Sequence, residues 1–393
     1  MYPNLYYAFQ ELFGISVPFL KAINSVGFFI AIAFIPGAWM WKRELKRKEK
    51  RGELTYRTIT VTVGAPAPLS RLLLHFILGF IAGYKLLYLV VHGNIINPSN
   101  FIFSAQGSFI GGLLTGCISA IVTWLSSRSQ QLAEPVQQTV KIWPHECVPA
   151  GIIVAGIAGV IGAKIFGIAE NWSSFIKAPL QNLFSSKGFA FLGGLIVATF
   201  AMWWYHYKWK YQRMQMADAL APSLLLSYSL GRLGCQIGGD GDWGITNPLP
   251  NPYSLLPDWL WSYDYPHNVA RMGIYMKDCS WDDFCYRLPV PVYPTPLYEL
   301  IAGMVLFFIL LLIRKKIKLA GRTSAFYLMF CGTERFFIEK IRVDIRYSIF
   351  GFHPTQAEIL SVVLFVAGLI LYFVAPHLNA NRHLIRDNTT TRS

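Results

Sequence analysis

Apolar and polar positions fall along this chain in long blocks, not in the short periods of soluble helices or strands. Nine runs of about 17 to 25 mostly apolar residues are long enough to cross a bilayer as helices. They lie at 17–41, 69–91, 107–125, 147–169, 189–205, 217–237, 296–313, 323–341 and 355–375. The polar connections alternate in charge. Lys and Arg number 21 in 42–57, 126–146, 206–216, 314–322 and the tail after 375, against seven in the intervening connections and the N-terminal segment. The basic side of a membrane protein is cytoplasmic, so the N-terminus is expected outside and the C-terminus inside. The first apolar stretch has no basic region before it and no small-residue cleavage site after it, and is expected to be retained as a span. The pattern predicts an all-α polytopic protein forming a single membrane domain over 1–393.

Composition agrees. Hydrophobic residues make up 54% and charged residues 14% of the 393, against about 25% charged in average soluble chains. That leaves too little polar surface for several soluble cores and too much apolar content for disorder. The net charge of +14 suggests a polyanion partner, but it sits in short blocks between spans, so no nucleic-acid partner is expected. The block Lys42, Arg43, Lys46, Arg47, Lys48, Lys50 and Arg51 fits a topology determinant touching anionic membrane lipid. Six cysteines are too few for a disulfide scaffold and show no zinc spacing. Cys279 and Cys285 fall in the longest outer segment, 238–295, where either a small disulfide loop or free thiols would fit.

Residues 79–116 and 158–198 repeat one another. GFIAGYKLLYLV and FSAQGSFIGGLLTG parallel AGVIGAKIFGIA and FSSKGFAFLGGLIVA, matching Lys85 with Lys164 and Gly111-Gly112 with Gly193-Gly194. Repeated helix pairs are common in membrane proteins. The glycines read either as close helix packing or as part of a site. The lysines either face a polar partner or snorkel to the interface.

Four clusters put costly polar groups in or beside apolar runs. The first runs from Gly231-Arg232 through Cys235, Asp240 and Asp242 to Trp243-Gly244. The second is Tyr293-Pro294-Thr295-Pro296-Leu297-Tyr298-Glu299, and the third spans Glu334-Arg335, Glu339-Lys340 and Arg342. The fourth is His353-Pro354-Thr355-Gln356. Helical spacing puts Arg335, Glu339 and Arg342 on one face. Ion pairing is one explanation. The other is an anionic-headgroup site near the outer leaflet, since arginines fit phosphate oxygens bidentately. Asp240 and Asp242 suit a divalent cation or an Asx turn; the turn is the commoner case, and no metal is expected.

These motifs, in this order and spacing, resemble the prolipoprotein diacylglyceryl transferase family. The resemblance implies a bacterial inner-membrane enzyme that moves the diacylglyceryl group of phosphatidylglycerol to the lipobox cysteine of a prolipoprotein, releases glycerol phosphate and needs no cofactor. It implies catalytic roles for Arg232, Arg335 and Glu299. Substrate-binding roles would fall to Tyr298, Glu339, Arg342, Gly193, Gly194, Gly244, Asp240, Asp242 and Gln356. Family members typically have seven spans, so 147–375 with the first span would be the family body and 69–125 an extra helix pair. Three positions depart from the family pattern: Leu192 replaces a histidine, Cys235 an asparagine, and Cys331 a tyrosine. The phosphate side is better kept than the side that activates the thiol. Two alternatives therefore stay open: a same-fold enzyme acting on another phospholipid or acceptor, and a non-catalytic lipid-binding or transport protein.

Overall fold

A computed structural model describes residues 1–92, 101, 106–183, 188–209, 211–343, 347–348 and 353–390. Each of the nine apolar runs carries a helix: α1 (Ser25–Lys50), α2 (Leu69–His92), α3 (Phe109–Ser129), α4 (Val148–Glu170), α5 (Phe191–Lys208), α6 (Arg213–Gly238), α7 (Thr295–Ile313), α8 (Arg322–Glu339) and α9 (Gln356–Thr390). Among the described residues, six helices are both long and apolar enough to cross a membrane: Ser25–Lys50, Leu69–Val91, Phe109–Ser129, Pro144–Glu170, Thr295–Ile313 and Gln356–His377. The protein is a multi-pass membrane protein. The three remaining long helices are more polar. α6 contains Arg213, Asp218 and Arg232, α8 contains Arg322, Glu334, Arg335 and Glu339, and α5 ends on Trp203-Trp204-Tyr205-His206-Tyr207-Lys208.

α1 begins later than the apolar run suggested. Pro18 opens a separate turn over Pro18–Ala22, and Asn24 then caps α1, its Oδ1 accepting from the Val26 amide at 2.8 Å. The helix continues through the basic block to Lys50, because Lys and Arg are good helix formers.

The chain forms two compact units. One comprises Met1–Tyr7, Asn24–Leu54 and Tyr205–Ser393. In it α6 is central and packs on α1, α7 and α8, while α8 also packs on α9. Met40, Ala221, Leu225, Leu226, Phe307 and Leu310 form its buried core. The ends of this bundle differ in chemistry. At one end the N-terminal residues meet segment 238–295: Tyr7 donates to Asp282 at 2.7 Å and stacks on Trp281, and the Tyr2 amide donates to the Ile237 carbonyl at 3.0 Å. Cys279 and Cys285 are joined by a disulfide in that segment, beside the two-residue strands β3 (Ile274–Tyr275) and β4 (Tyr286–Arg287). At the other end Lys48 bonds Gln215, Arg314 pairs with the buried Glu44, and Asp218 accepts from the Gly321 and Ser324 amides at 2.8 Å each.

The second unit comprises Ala8–Ile23 and Thr55–Trp204. It contains an antiparallel ribbon that the all-helical reading did not include. β1 (Arg57–Val63) pairs with β2 (Val136–Ile142) from Arg57↔Ile142 to Val63↔Val136. The helix pair α2–α3 lies in the chain enclosed by the ribbon. The repeat seen in sequence is also a repeat of packing. A Cβ on Gly83 would sit 2.5 Å from the Gly111 carbonyl, and one on Gly162 would sit 2.6 Å from the Gly193 carbonyl. Only glycine allows this approach, so matched positions of α2–α3 and α4–α5 use the same close contact. The lysines turn toward the connecting segments. Lys85 donates to the Phe101 and Gln106 carbonyls at 2.7 and 2.8 Å, and Lys164 lies 4.7 Å from the centre of the Phe189 ring. Parts of the repeat, 93–100, 102–105 and 184–187, lie outside the described residues.

Candidate active site

The site forms where α6 ends and α7 begins. Glu299, in the first two turns of α7, is fully buried. A carboxylate buried without cations would lose its charge, and here three arginines surround it. Arg232 Nε lies 2.8 Å from Glu299 Oε2, Arg335 Nη1 donates to Oε1 at 2.7 Å, and Arg342 Nη1 lies 3.6 Å from Oε1. Glu339 adds a second buried carboxylate, 3.2 Å from Arg335 Nη2 and 3.9 Å from Arg342 Nε. Arg335 and Glu339 share the face that helical spacing predicts for α8, whereas Arg342 lies beyond the helix end at Glu339 and reaches the site through a bridge to Gly244.

Asp242 is the third acid. It pairs with Arg232 through Oδ2 and with Arg342 Nη2 through Oδ1 at 3.0 Å. Burial pushes the Asp242 carboxyl up, but Arg342 and Arg232 outweigh it and hold the pKa below the usual value. Asp240 behaves in the opposite way. Burial, and then the neighbouring Asp242 charge, raise its pKa.

Backbone contacts fix the approach of the loop. Thr295 Oγ1 donates to the Asp242 carbonyl at 2.6 Å, the Gly244 amide donates to the Tyr293 carbonyl at 2.8 Å, and Ile245 N donates to the Ile341 carbonyl at 2.8 Å. A Cβ on Gly244 would meet the Ile341 carbonyl at 2.5 Å, so this position must be glycine for the loop to lie against Ile341-Arg342. Trp243 is buried with Tyr265, Leu288 and Val292, anchoring the loop just beyond Asp242.

The structure thus brings together Arg232, Glu299, Arg335, Glu339, Arg342, Asp240, Asp242 and Gly244. Tyr298 is turned elsewhere, its hydroxyl donating to the Leu260 carbonyl at 2.8 Å. Gly193 and Gly194 belong to the other unit and pack on α4. Gln356 is exposed at the start of α9. Its neighbours form a capping box, with the Glu358 amide donating to Thr355 Oγ1 and the Thr355 amide to Glu358 Oε2, both at 3.1 Å. Leu192 lies in α5 of the second unit.

Tyr228 was missed in sequence. Its hydroxyl lies 3.2 and 3.3 Å from the Glu334 carboxylate oxygens, and its ring lies under Arg232, 5.3 Å from the guanidinium carbon. Its position one helical turn before Arg232 is the signal that could have found it. Where the family pattern has a tyrosine, Cys331 of α8 packs against the buried core of the bundle.

Each guanidinium has five N–H donors. The contacts above use only Nε and Nη1 of Arg232, leaving Nη2 for an oxyanion. Ion pairs with Glu299, Glu339 and Asp242 hold the three arginines in place, the kind of preorganisation that suits an oxyanion. Cys235 Sγ and carboxylate oxygens of Asp240 and Asp242 come within 4.8 Å of one another, a spacing that suits a metal ion. The two arginines on Asp242 oppose a cation there.

A family model described as prolipoprotein diacylglyceryl transferase matches residues 121–374, more than half of the chain. The chain belongs to the prolipoprotein diacylglyceryl transferase family. Membership makes it a transferase. Three relatives are each named phosphatidylglycerol–prolipoprotein diacylglyceryl transferase. The Vibrio parahaemolyticus protein (serotype O3:K6, strain RIMD 2210633) is 30% identical over 235 residues, covering 58% of this chain and 74% of the relative. The Sodalis glossinidius protein (strain morsitans) is 30% identical over 251 residues, covering 62% and 82%. The Photorhabdus laumondii protein (subsp. laumondii) is 29% identical over 264 residues, covering 66% and 84%.

Proposed function

We propose that the protein transfers the diacylglyceryl group of phosphatidylglycerol to the thiol of a prolipoprotein lipobox cysteine and releases glycerol phosphate. The observation that carries this reading is the convergence of Arg232, Arg335 and Arg342 on the buried Glu299, in a chain of this family. In the reaction a thiolate attacks the glyceryl carbon attached to the phosphate ester oxygen. Arg232 and Arg335 bind the departing phosphate, and Glu299, Glu339 and Asp242 hold the arginines in register.

The test is transfer of labelled phosphatidylglycerol onto a lipobox peptide by the reconstituted protein. Labelled thioether is expected, and Arg232→Ala or Arg335→Ala should abolish it while the folded protein still purifies. Activity in a variant lacking both arginines would refute the site. A second reading, the same fold acting on another acceptor, is favoured by Leu192 and Cys235 at the positions where the acceptor side departs from the family. Glycerol phosphate release without peptide labelling would support it.

All nine long helices are read as spans of the bacterial inner membrane, with the N-terminus outside and the site near the outer leaflet. Two features support this orientation. The N-terminal residues meet the disulfide-bearing segment, while Lys48 and Arg314 lie at the other end of the bundle. A membrane-impermeant maleimide should label Leu255→Cys on intact cells and Lys46→Cys only after permeabilisation. The reverse pattern would invert the orientation.

A further inference from the structure

Thiol alkylation needs a base as well as an anion site, and the carboxylates of this site are not equivalent. Glu299 is in contact with three arginines and Asp242 with two, so each is held as a counter-ion and is a weak proton acceptor. Asp240 makes different contacts. A carboxylate oxygen of Asp240 lies within 4.8 Å of the Cys235 sulfur, and its Oδ1 lies 3.4 Å from the Asp242 amide. It is half-buried, so an incoming group can reach it. Gly239 and Gly241, at φ +63° and +103°, flank it in conformations that L residues rarely adopt. The Val269 and Ala270 amides hold this turn by donating to the Gly238 and Gly239 carbonyls at 2.9 and 3.2 Å. The Cys235 sulfur also lies 3.9 Å from Arg232 Nη1. A thiol, a carboxylate and the phosphate-binding arginine are therefore already in one group.

We propose that Asp240 is the general base that takes the proton of the acceptor thiol, which enters beside Cys235 and Arg232. This assignment rests on the diacylglyceryl-transfer reading above. The thiol proton passes to Asp240 and the sulfur lone pair forms the S–C bond to the glyceryl carbon. The C–O bond to phosphate breaks, its electron pair leaving with glycerol phosphate against Arg232 and Arg335. The charged and titratable groups facing Asp240 are Asp242, Cys235, Arg232 and Tyr265. Burial and Asp242 raise its affinity for a proton, the direction a base working near neutrality requires.

The experiment compares wild type, Asp240→Asn and Asp240→Glu for label transfer to a lipobox peptide across pH, with phosphatidylglycerol binding measured alongside. Asp240→Asn should lose about 10²-fold or more of transfer at neutral pH and still bind lipid. Its deficit should shrink as pH approaches the thiol's own pKa of about 8.5, where thiolate forms without a base. Asp240→Glu should retain transfer with a displaced acid limb. Wild-type rate and pH profile in Asp240→Asn, or equal loss of binding and transfer, would overturn the assignment. If Asp240→Asn fails to fold, an acid limb in Asp240→Glu identical to wild type overturns it instead. Absence of thioether with wild type overturns the transfer reading, and the base role with it. A deficit confined to the Asp240 variants leaves the transfer reading standing.

Discussion

Glu299 and Asp242 do the same task at different depths. Glu299 is fully buried and in contact with three arginines, whereas the Asp242 side chain is 35% exposed and pairs with two. Removing one partner of a buried ion pair leaves a charge uncompensated, so the cluster should respond to substitution as a unit and not pair by pair. Asp242 offers a pH test of this coupling. Its folded pKa lies below its unfolded value. The stability it contributes is therefore fully present above the ordinary aspartate value of about 3.9 and is lost as pH falls through the lower folded value. Thermal unfolding of the detergent-solubilised protein, followed downward from pH 5, should show a steeper acid loss in wild type than in Asp242→Asn. Parallel curves would mean that the ion pairs add nothing to stability. The arginines and acids of this cluster were legible in the sequence because charge beside an apolar run is expensive and therefore conspicuous. The directions of Tyr298 and Tyr228 were not, since a tyrosine next to a charged residue has several carbonyls and carboxylates within reach and only the packed backbone selects one.

At the scale of elements, the position of α8 decides where Arg335 points. Gly321, at φ +95°, stands at the N-cap of α8 and offers no side-chain oxygen to the first amides. Asp218 of α6 supplies it. Its carboxylate accepts from Gly321 N, Ser324 N and Ser324 Oγ at 2.8 Å each, and the residue is 1% exposed. Asp218→Ala strands these buried donors, each costing about 1–3 kcal/mol. The expected outcome is a clearly lower unfolding temperature together with reduced transfer, because α8 is pinned on α6 from one end and carries Arg335 toward the other. Asp218→Asn keeps acceptors and should lose less. Unchanged stability in Asp218→Ala would show that helix packing positions α8 without this cap. No sequence motif announced this cap, because donor and acceptor lie 103 and 106 positions apart. The capping box at Thr355–Glu358 was local and legible, yet beside His353 and Gln356 it was read as ligand chemistry. The ribbon was legible in the same way: Thr58-Ile59-Thr60-Val61-Thr62-Val63 alternates with period two, inside a connection otherwise read only for its charge.

For the whole molecule, the ribbon determines how α2 and α3 are attached. Val63 and Val136 are paired residues of adjacent antiparallel strands, so the chain leaves and re-enters the rest of its unit at neighbouring points. An insertion built this way places little demand on what surrounds it, since closing the gap requires only a tight turn. The family match begins at residue 121, so most of 64–135 lies outside it. Replacing 64–135 with Asn-Gly should therefore join β1 to β2 as a hairpin and leave a protein that inserts, purifies and transfers diacylglyceryl at a rate within a few-fold of wild type, as read from peptide labelling. The matched Gly83–Gly111 and Gly162–Gly193 contacts make each helix pair self-packed, and for that reason α4–α5 should survive loss of α2–α3. If the shortened protein folds and binds phosphatidylglycerol but fails to transfer, the α2–α3 pair takes part in catalysis or in acceptor recognition.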